Sequence, residues 1–106
     1  MKYGLSPKQL TEIVKIVTQY KEVDKAILFG SRAMGNYKKA SDVDITIKGA
    51  KADFSLAAKI KSDLEENTYS PYFFDIIAYK TITSKELKEH IHTYGKTLFS
   101  KIDTSD

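Results

Sequence analysis

Gly30-Ser31 and, after ten intervening residues, Asp42-Val43-Asp44 carry the clearest chemistry in this chain. The two aspartates flank one valine, so on an extended strand both carboxylates face the same way. Such a pair suits a hard divalent cation, Mg²⁺ or in its place Mn²⁺, which takes oxygen ligands and is commonly shared with substrate phosphates. Two such ions about 4 Å apart clamp the attacking and leaving oxygens of an in-line displacement at phosphorus. A triphosphate also needs donors, and the turn at Gly30 and Ser31 can supply them. Glycine lets the backbone come close, the amides that follow point at the anion, Ser31 adds a hydroxyl, and Arg32 adds a fork of positive charge. A third acid, Asp75, stands inside the apolar run from Tyr72 to Tyr79. A lone carboxylate there is costly unless paired, protonated or metal-bound, and burial is expected to raise its proton affinity.

The elements that must place these groups can be read from periodicity and punctuation. Ser6-Pro7-Lys8-Gln9 starts a helix, with Ser6 as N-cap, Pro7 in the first turn and Gln9 closing a capping box. Leu10, Ile13, Val14 and Val17 carry it to about Tyr20. Lys25 to Phe29 is a short apolar strand ended by Gly30, and Arg32 to Met34 a helical turn closed by Gly35. Val43 to Lys48 is the second strand, with Val43, Ile45 and Ile47 on one face and Asp42, Asp44 and Thr46 on the other. A helix from about Asp53 to Asn67 buries Leu56, Ala57, Ile60 and Leu64. Ser70-Pro71 precedes the third strand, in which Phe74, Ile76 and Ala78 oppose Phe73, Asp75 and Ile77. A capping box at Thr83 to Glu86 opens a last helix with Leu87, Ile91 and Tyr94 on one stripe. Lys96 to Phe99 is an extra strand or a docking segment, and the final residues fray.

For Gly30-Ser31 and the two aspartates to meet one nucleotide, the end of the first strand must lie beside the start of the second. Neighbouring strands so arranged run antiparallel. The expected fold is α/β (α+β): a small mixed sheet with helices on one face and an open cleft on the other.

Composition bounds the rest. At 106 residues, 42% hydrophobic and 29% charged, the chain reads as one globular domain over 1–106. There is no cysteine, which excludes a disulfide scaffold and thiolate metal sites. No apolar run nears the roughly 20 residues needed to span a bilayer, and no signal peptide is evident, so a cytoplasmic protein without membrane contact is expected. The net charge of +3 is modest and its lysines are scattered, so specific nucleic-acid binding is not expected.

The Gly-Ser turn, the Asp-x-Asp strand and the later acid together resemble the signature of the DNA polymerase β-type nucleotidyltransferase superfamily. Within it the chain looks most like the minimal nucleotidyltransferases (MNT), the antitoxin partners of HEPN toxins, over nearly its whole length. The resemblance implies that Asp42 and Asp44 ligate metal and that Asp75 completes the site and helps to activate the acceptor hydroxyl. It implies transfer of AMP from ATP to a tyrosine of a helical HEPN-type partner. Many relatives carry a second arginine where this chain has Met34; Lys38 and Lys39 lie in the same loop.

With no spare element to hold an acceptor, the acceptor is expected to bring its own surface, which favours a protein. Two rival readings stand beside this one: an antitoxin that neutralises by binding alone, and an enzyme acting on a small molecule or an RNA end. The base preference, the acceptor, the oligomeric state and the roles of Tyr37, Lys38 and Lys39 are left open by the sequence. His90 and His92 face apart on one helix and are read as surface residues, Tyr72, Phe73 and Phe74 as strand core, and Asp53 as a helix start.

Overall fold

The computed structural model describes residues 1–68 and 71–101. Ser70 and the terminal residues expected to fray lie outside them. Helix α1 (Pro7–Val17) opens on the expected capping box, in which Ser6 Oγ accepts from the Gln9 amide at 3.1 Å and Gln9 Oε1 from the Ser6 amide at 2.8 Å. It stops short of Tyr20 because the chain tightens: the Gln19 and Tyr20 amides donate to the carbonyls three residues back. The Tyr20 hydroxyl instead donates to Asp63 at 2.6 Å.

Strand β1 (Lys25–Phe29), the short helix α2 (Gly30–Met34) and strand β2 (Val43–Lys48) follow. Gly35 closes α2 in the left-handed conformation. Helix α3 (Phe54–Asn67), capped by Asp53, crosses to strand β3 (Phe74–Ala78). A 3₁₀ turn (Tyr79–Thr81) leads into helix α4 (Lys85–Tyr94), and strand β4 (Lys96–Ser100) ends the described chain. The N-cap of α4 is Ser84, which accepts from the Leu87 amide at 3.1 Å, so the capping box expected at Thr83 does not form. The segment after α4 is a strand, not a docking arm.

The sheet order is β3-β2-β1-β4. β1 runs antiparallel to β2 and β4, as the site argument required of β1 and β2, and β2 runs parallel to β3 through the α3 crossover. One face carries the main core: Ala26, Leu28, Val43, Ile45, Ile47, Phe74, Ile76 and Ala78 pack under α1 and under Leu56, Ala57, Ile60 and Leu64 of α3. These four α3 residues are the stripe read from the sequence.

The other face is not left wholly open. Ile27 and Phe29 form a second cluster with Ile82 and Ile91, joined by Ile77, Tyr79 and Leu87, so α4 and the turn before it cover part of that face. Two β-branched or aromatic side chains of β1 need cover there, and the amphipathic α4 supplies it. Thr46, expected among the solvent-facing acids, is consequently fully buried; its hydroxyl donates to the Ile77 carbonyl at 2.9 Å. Among the described residues, no helix is long and apolar enough to cross a membrane.

Candidate active site

The register assembles the site. Phe29, the last residue of β1, pairs with Asp44, and Asp44 pairs with Asp75. The end of β1 and the starts of β2 and β3 therefore lie side by side. Asp44 occupies the middle strand, with Gly30 towards one side, Asp75 on the other, and Asp42 two residues before it. Paired residues project to the same face, so Asp44 and Asp75 share the surface that α4 covers only in part.

Gly30 is required here twice over. Its φ is +76°, a left-handed conformation, and a β-carbon at this position would run into the Asp44 carboxylate. Gly30→Ala is therefore expected to cost about 1–3 kcal/mol in denaturant unfolding, and also to weaken ATP binding by pushing Asp44 aside. Wild-type stability with wild-type nucleotide binding would contradict this account.

Burial distinguishes the acids differently from the sequence expectation. Asp75 is exposed although it lies in an apolar strand, because its side chain falls on the open part of the face. Asp44 is the half-buried one. Its pKa is pushed up to about 6, first by burial and then by the negative charges of Asp75 and Asp42, against the opposing charge of Arg32. Among the described residues the sole ion pair is Lys61–Glu65, so none of the three acids is neutralised by a basic side chain.

Asp44 feels the negative charge of both other acids, and none of the three has an ion-pair partner among the described residues. These oxygen donors are therefore of the chemical kind that a hard divalent ion takes. Among the described residues, no group of three or more His, Cys, Asp or Glu side chains is placed to hold a metal ion by itself. A cation here would take part of its coordination from a ligand that brings its own oxygens, as a nucleotide triphosphate does.

Ser31 is half-buried at the start of α2, and among the described residues its hydroxyl makes no hydrogen bond. Arg32 is placed quite differently from the expected triphosphate clamp. It is 2% exposed, its Nε and Nη2 both donate to the Ser41 carbonyl (3.1 and 2.8 Å), and its Nη1 donates to the Tyr3 carbonyl at 2.8 Å. The guanidinium carbon lies 4.3 Å from the Tyr72 ring centroid and 5.3 Å from that of Tyr37. All this ties α2 to the residue just before Asp42. Arg32 is thus a strut between α2 and the start of β2, and its charge acts on Asp44 through space.

Other supports come from α3. Lys61 donates to the Phe74 carbonyl at 2.8 Å, and Glu65 accepts from the Phe74 amide at 3.1 Å, which fixes the start of the strand that carries Asp75. Of the aromatics expected in the strand core, Phe74 is there, Tyr72 lies partly buried beside Arg32, and Phe73 is 72% exposed at the open end of the acids' face. Lys38 and Lys39 are exposed. Sequence reasoning missed His90, which is half-buried and accepts from the Gly30 amide at Nε2. A signal existed, since residue 90 falls on the same helical stripe as Leu87, Ile91 and Tyr94.

The family model for polymerase β nucleotidyltransferases matches residues 11–104, nearly the whole chain. The chain belongs to the polymerase β nucleotidyltransferase family. In this nucleotidyltransferase the Gly-Ser turn and the acids occupy one end of one sheet face, as the register above shows. Its fold is shared with solved toxin–antitoxin complexes. A doubly substituted form of the MntA complex matches with a TM-score of 0.71 and 22% identity, covering 86% of this chain and 73% of that one. A toxin–antitoxin complex with AMP-PNP matches with a TM-score of 0.68 at 22% identity, covering 91% and 74%. The complex of a Shewanella oneidensis MNT antitoxin with its tri-AMPylated HEPN toxin matches at 0.65 and 21%, covering 88% and 71%. Among curated proteins, none matches the sequence significantly.

Proposed function

We propose that this nucleotidyltransferase moves AMP from ATP to a tyrosine hydroxyl of a helical HEPN-type protein, as the antitoxin of a cytoplasmic toxin–antitoxin pair. The observation that carries the reading is the alignment of Gly30, Asp44 and Asp75 on three adjacent strand ends. Support for the partner comes from the solved relatives, one of which holds an AMPylated HEPN toxin.

Asp42, Asp44 and Asp75 would hold Mg²⁺, one or two ions, with Mn²⁺ as a substitute. Bound there, the cation would neutralise charge on the triphosphate and on the displaced pyrophosphate. Ser31 donates its hydroxyl to a phosphate oxygen, and the turn at Gly30 keeps that donor close to Asp44. Asp75, exposed and on the edge strand, faces the side from which an acceptor can approach. It orients the tyrosine hydroxyl and accepts its proton. The tyrosine oxygen forms a bond to the α-phosphorus, the bond from that phosphorus to the bridging oxygen breaks, and pyrophosphate leaves.

Incubation with the HEPN partner, ATP and Mg²⁺ should add one or more AMP masses to the partner and release pyrophosphate. Partner that stays unmodified yet is neutralised stoichiometrically would replace this reading with neutralisation by binding. Label from ATP appearing only on RNA ends or small molecules would replace the acceptor. ATP at about 100 times its dissociation constant should stabilise the protein by roughly 2.7 kcal/mol, and only when a divalent cation is present. An equal thermal shift with and without the cation would count against the carboxylates as its ligands.

A further inference from the structure

We infer that His90 is a positioning residue for the nucleotide-binding turn: it holds the Gly30 amide so that α2 presents Ser31 beside Asp44. The inference rests on the nucleotide-transfer reading for its functional consequence, but the contact itself is independent of it.

The first amides of any helix lack an intrahelical partner. At the start of α2 the preceding residue is Phe29, which offers no side-chain cap. The orphan Gly30 amide is met from 60 residues away, by His90 Nε2 at 2.8 Å. Accepting at Nε2 requires a neutral imidazole with its proton on Nδ1. The ring is held from two directions. Phe29 meets it edge-on, with centroids 6.2 Å apart and planes at 80°, and Tyr94 lies at 5.4 Å with a tilt of 39°. Ile91, the next residue, is buried in the second core cluster and anchors this stretch of α4. The acceptor is therefore fixed before any nucleotide arrives.

A fixed acceptor matters most at a glycine. Gly30 has the widest choice of backbone conformations, and the one it uses sets where the next hydroxyl and the adjacent Asp44 lie. His90 removes that freedom. It also takes the Gly30 amide away from a ligand, leaving the triphosphate to the Ser31 hydroxyl and to the amides that follow the glycine. A turn held for the triphosphate contributes alike to the ground state and the transition state. Its loosening should then appear in KM for ATP more than in kcat.

Two variants separate the hydrogen bond from the packing. His90→Phe keeps a ring between Phe29 and Tyr94 but has no acceptor, whereas His90→Gln keeps an acceptor without the ring. In nucleotide-free protein, hydrogen exchange of the Gly30 amide should be slow in wild type and His90→Gln and fast in His90→Phe. In the transfer assay, His90→Phe should raise KM for ATP about three- to tenfold, the worth of one hydrogen bond, with kcat within about twofold. His90→Gln should recover most of that loss. Equal Gly30 exchange in wild type and His90→Phe would overturn the contact, whatever the transfer assay shows. Wild-type KM in His90→Phe, or equal impairment of the two variants, would overturn the positioning role. A wild-type protein that transfers no AMP but shows the expected exchange pattern would overturn the proposed function and leave the His90 contact supported.

Discussion

Asp44→Asn is expected to lower kcat/KM for nucleotidyl transfer by about 10²–10³-fold or more, and at the same time to make the nucleotide-free protein more stable. Both effects have one cause. Asp44 sits half-buried between two other carboxylates, and its pKa is raised from 3.8 to about 6. Raised above its unfolded value, the group favours the fold fully below about pH 4 and loses that contribution as pH rises through about 6. At neutral pH its ionised form is therefore a cost, about 1–2 kcal/mol once solvent screening of a half-exposed group is allowed for. Asparagine removes the charge and the cost. In denaturant unfolding without divalent cation, the variant should match wild type near pH 4, gain on it between about pH 4 and pH 6, and keep a constant advantage above. Adding Mg²⁺ and ATP should stabilise wild type and narrow or reverse the gap. A variant less stable than wild type at pH 7 would mean that Asp44 has a structural partner.

Asp75→Asn should differ from Asp44→Asn in kind. Asp75 is exposed on the edge strand and lies farther from the Gly30 turn by one strand. Its loss should remove turnover through kcat while leaving most Mg²⁺-dependent ATP binding in place. Asp42→Asn should weaken both. Calorimetry beside a transfer assay on the three variants distinguishes the roles, and near-normal transfer by Asp75→Asn would remove it from the reaction.

Much of this site was legible because it depends on local pattern. Two aspartates one residue apart on a strand must share a face, and a Gly-Ser turn after one strand fixes which strand end meets which. The antiparallel β1–β2 pair follows from these two constraints. The α3 stripe and the Ser6 capping box were equally local. What escaped were contacts between distant segments. Burial assigned to Asp75 belonged to Asp44, because strand alternation gives a face but not what covers it. The cover over that face comes from the 3₁₀ turn and α4, more than thirty residues after Thr46. His90 reaches Gly30 only because α4 folds back across β1, which no short-range pattern specifies. Arg32 is placed otherwise than expected for a related reason: its proximity to Gly-Ser suggested a phosphate ligand, while its partners, Tyr3, Ser41 and Tyr72, come from three other stretches of chain.

Arg32→Ala should consequently be among the most destabilising single changes in the protein, costing about 3–5 kcal/mol of a stability that for such domains is about 5–15 kcal/mol. The guanidinium, itself buried, satisfies two part-buried carbonyls and lies against two tyrosine rings. Truncation leaves the carbonyls without donors and the rings without their cation. It also frees the turn at Tyr3 and Gly4, whose positive φ values are held where the Tyr3 carbonyl accepts from Arg32. Arg32→Lys keeps the charge but cannot donate in a fork to Ser41 while reaching Tyr3, so it should still cost about 1–3 kcal/mol. These losses must appear in protein without nucleotide, because every contact that predicts them is present there. An arginine reserved for a triphosphate would behave in the opposite way: its removal would spare the nucleotide-free fold and act only on ATP affinity. Unfolding of Arg32→Lys and Arg32→Ala without ligand therefore decides between strut and clamp. Wild-type stability in both would return Arg32 to the nucleotide and leave its buried hydrogen bonds without consequence. The strut predicts instead that Asp42, held two bonds of chain beyond the Ser41 carbonyl, loses its place when Arg32 does.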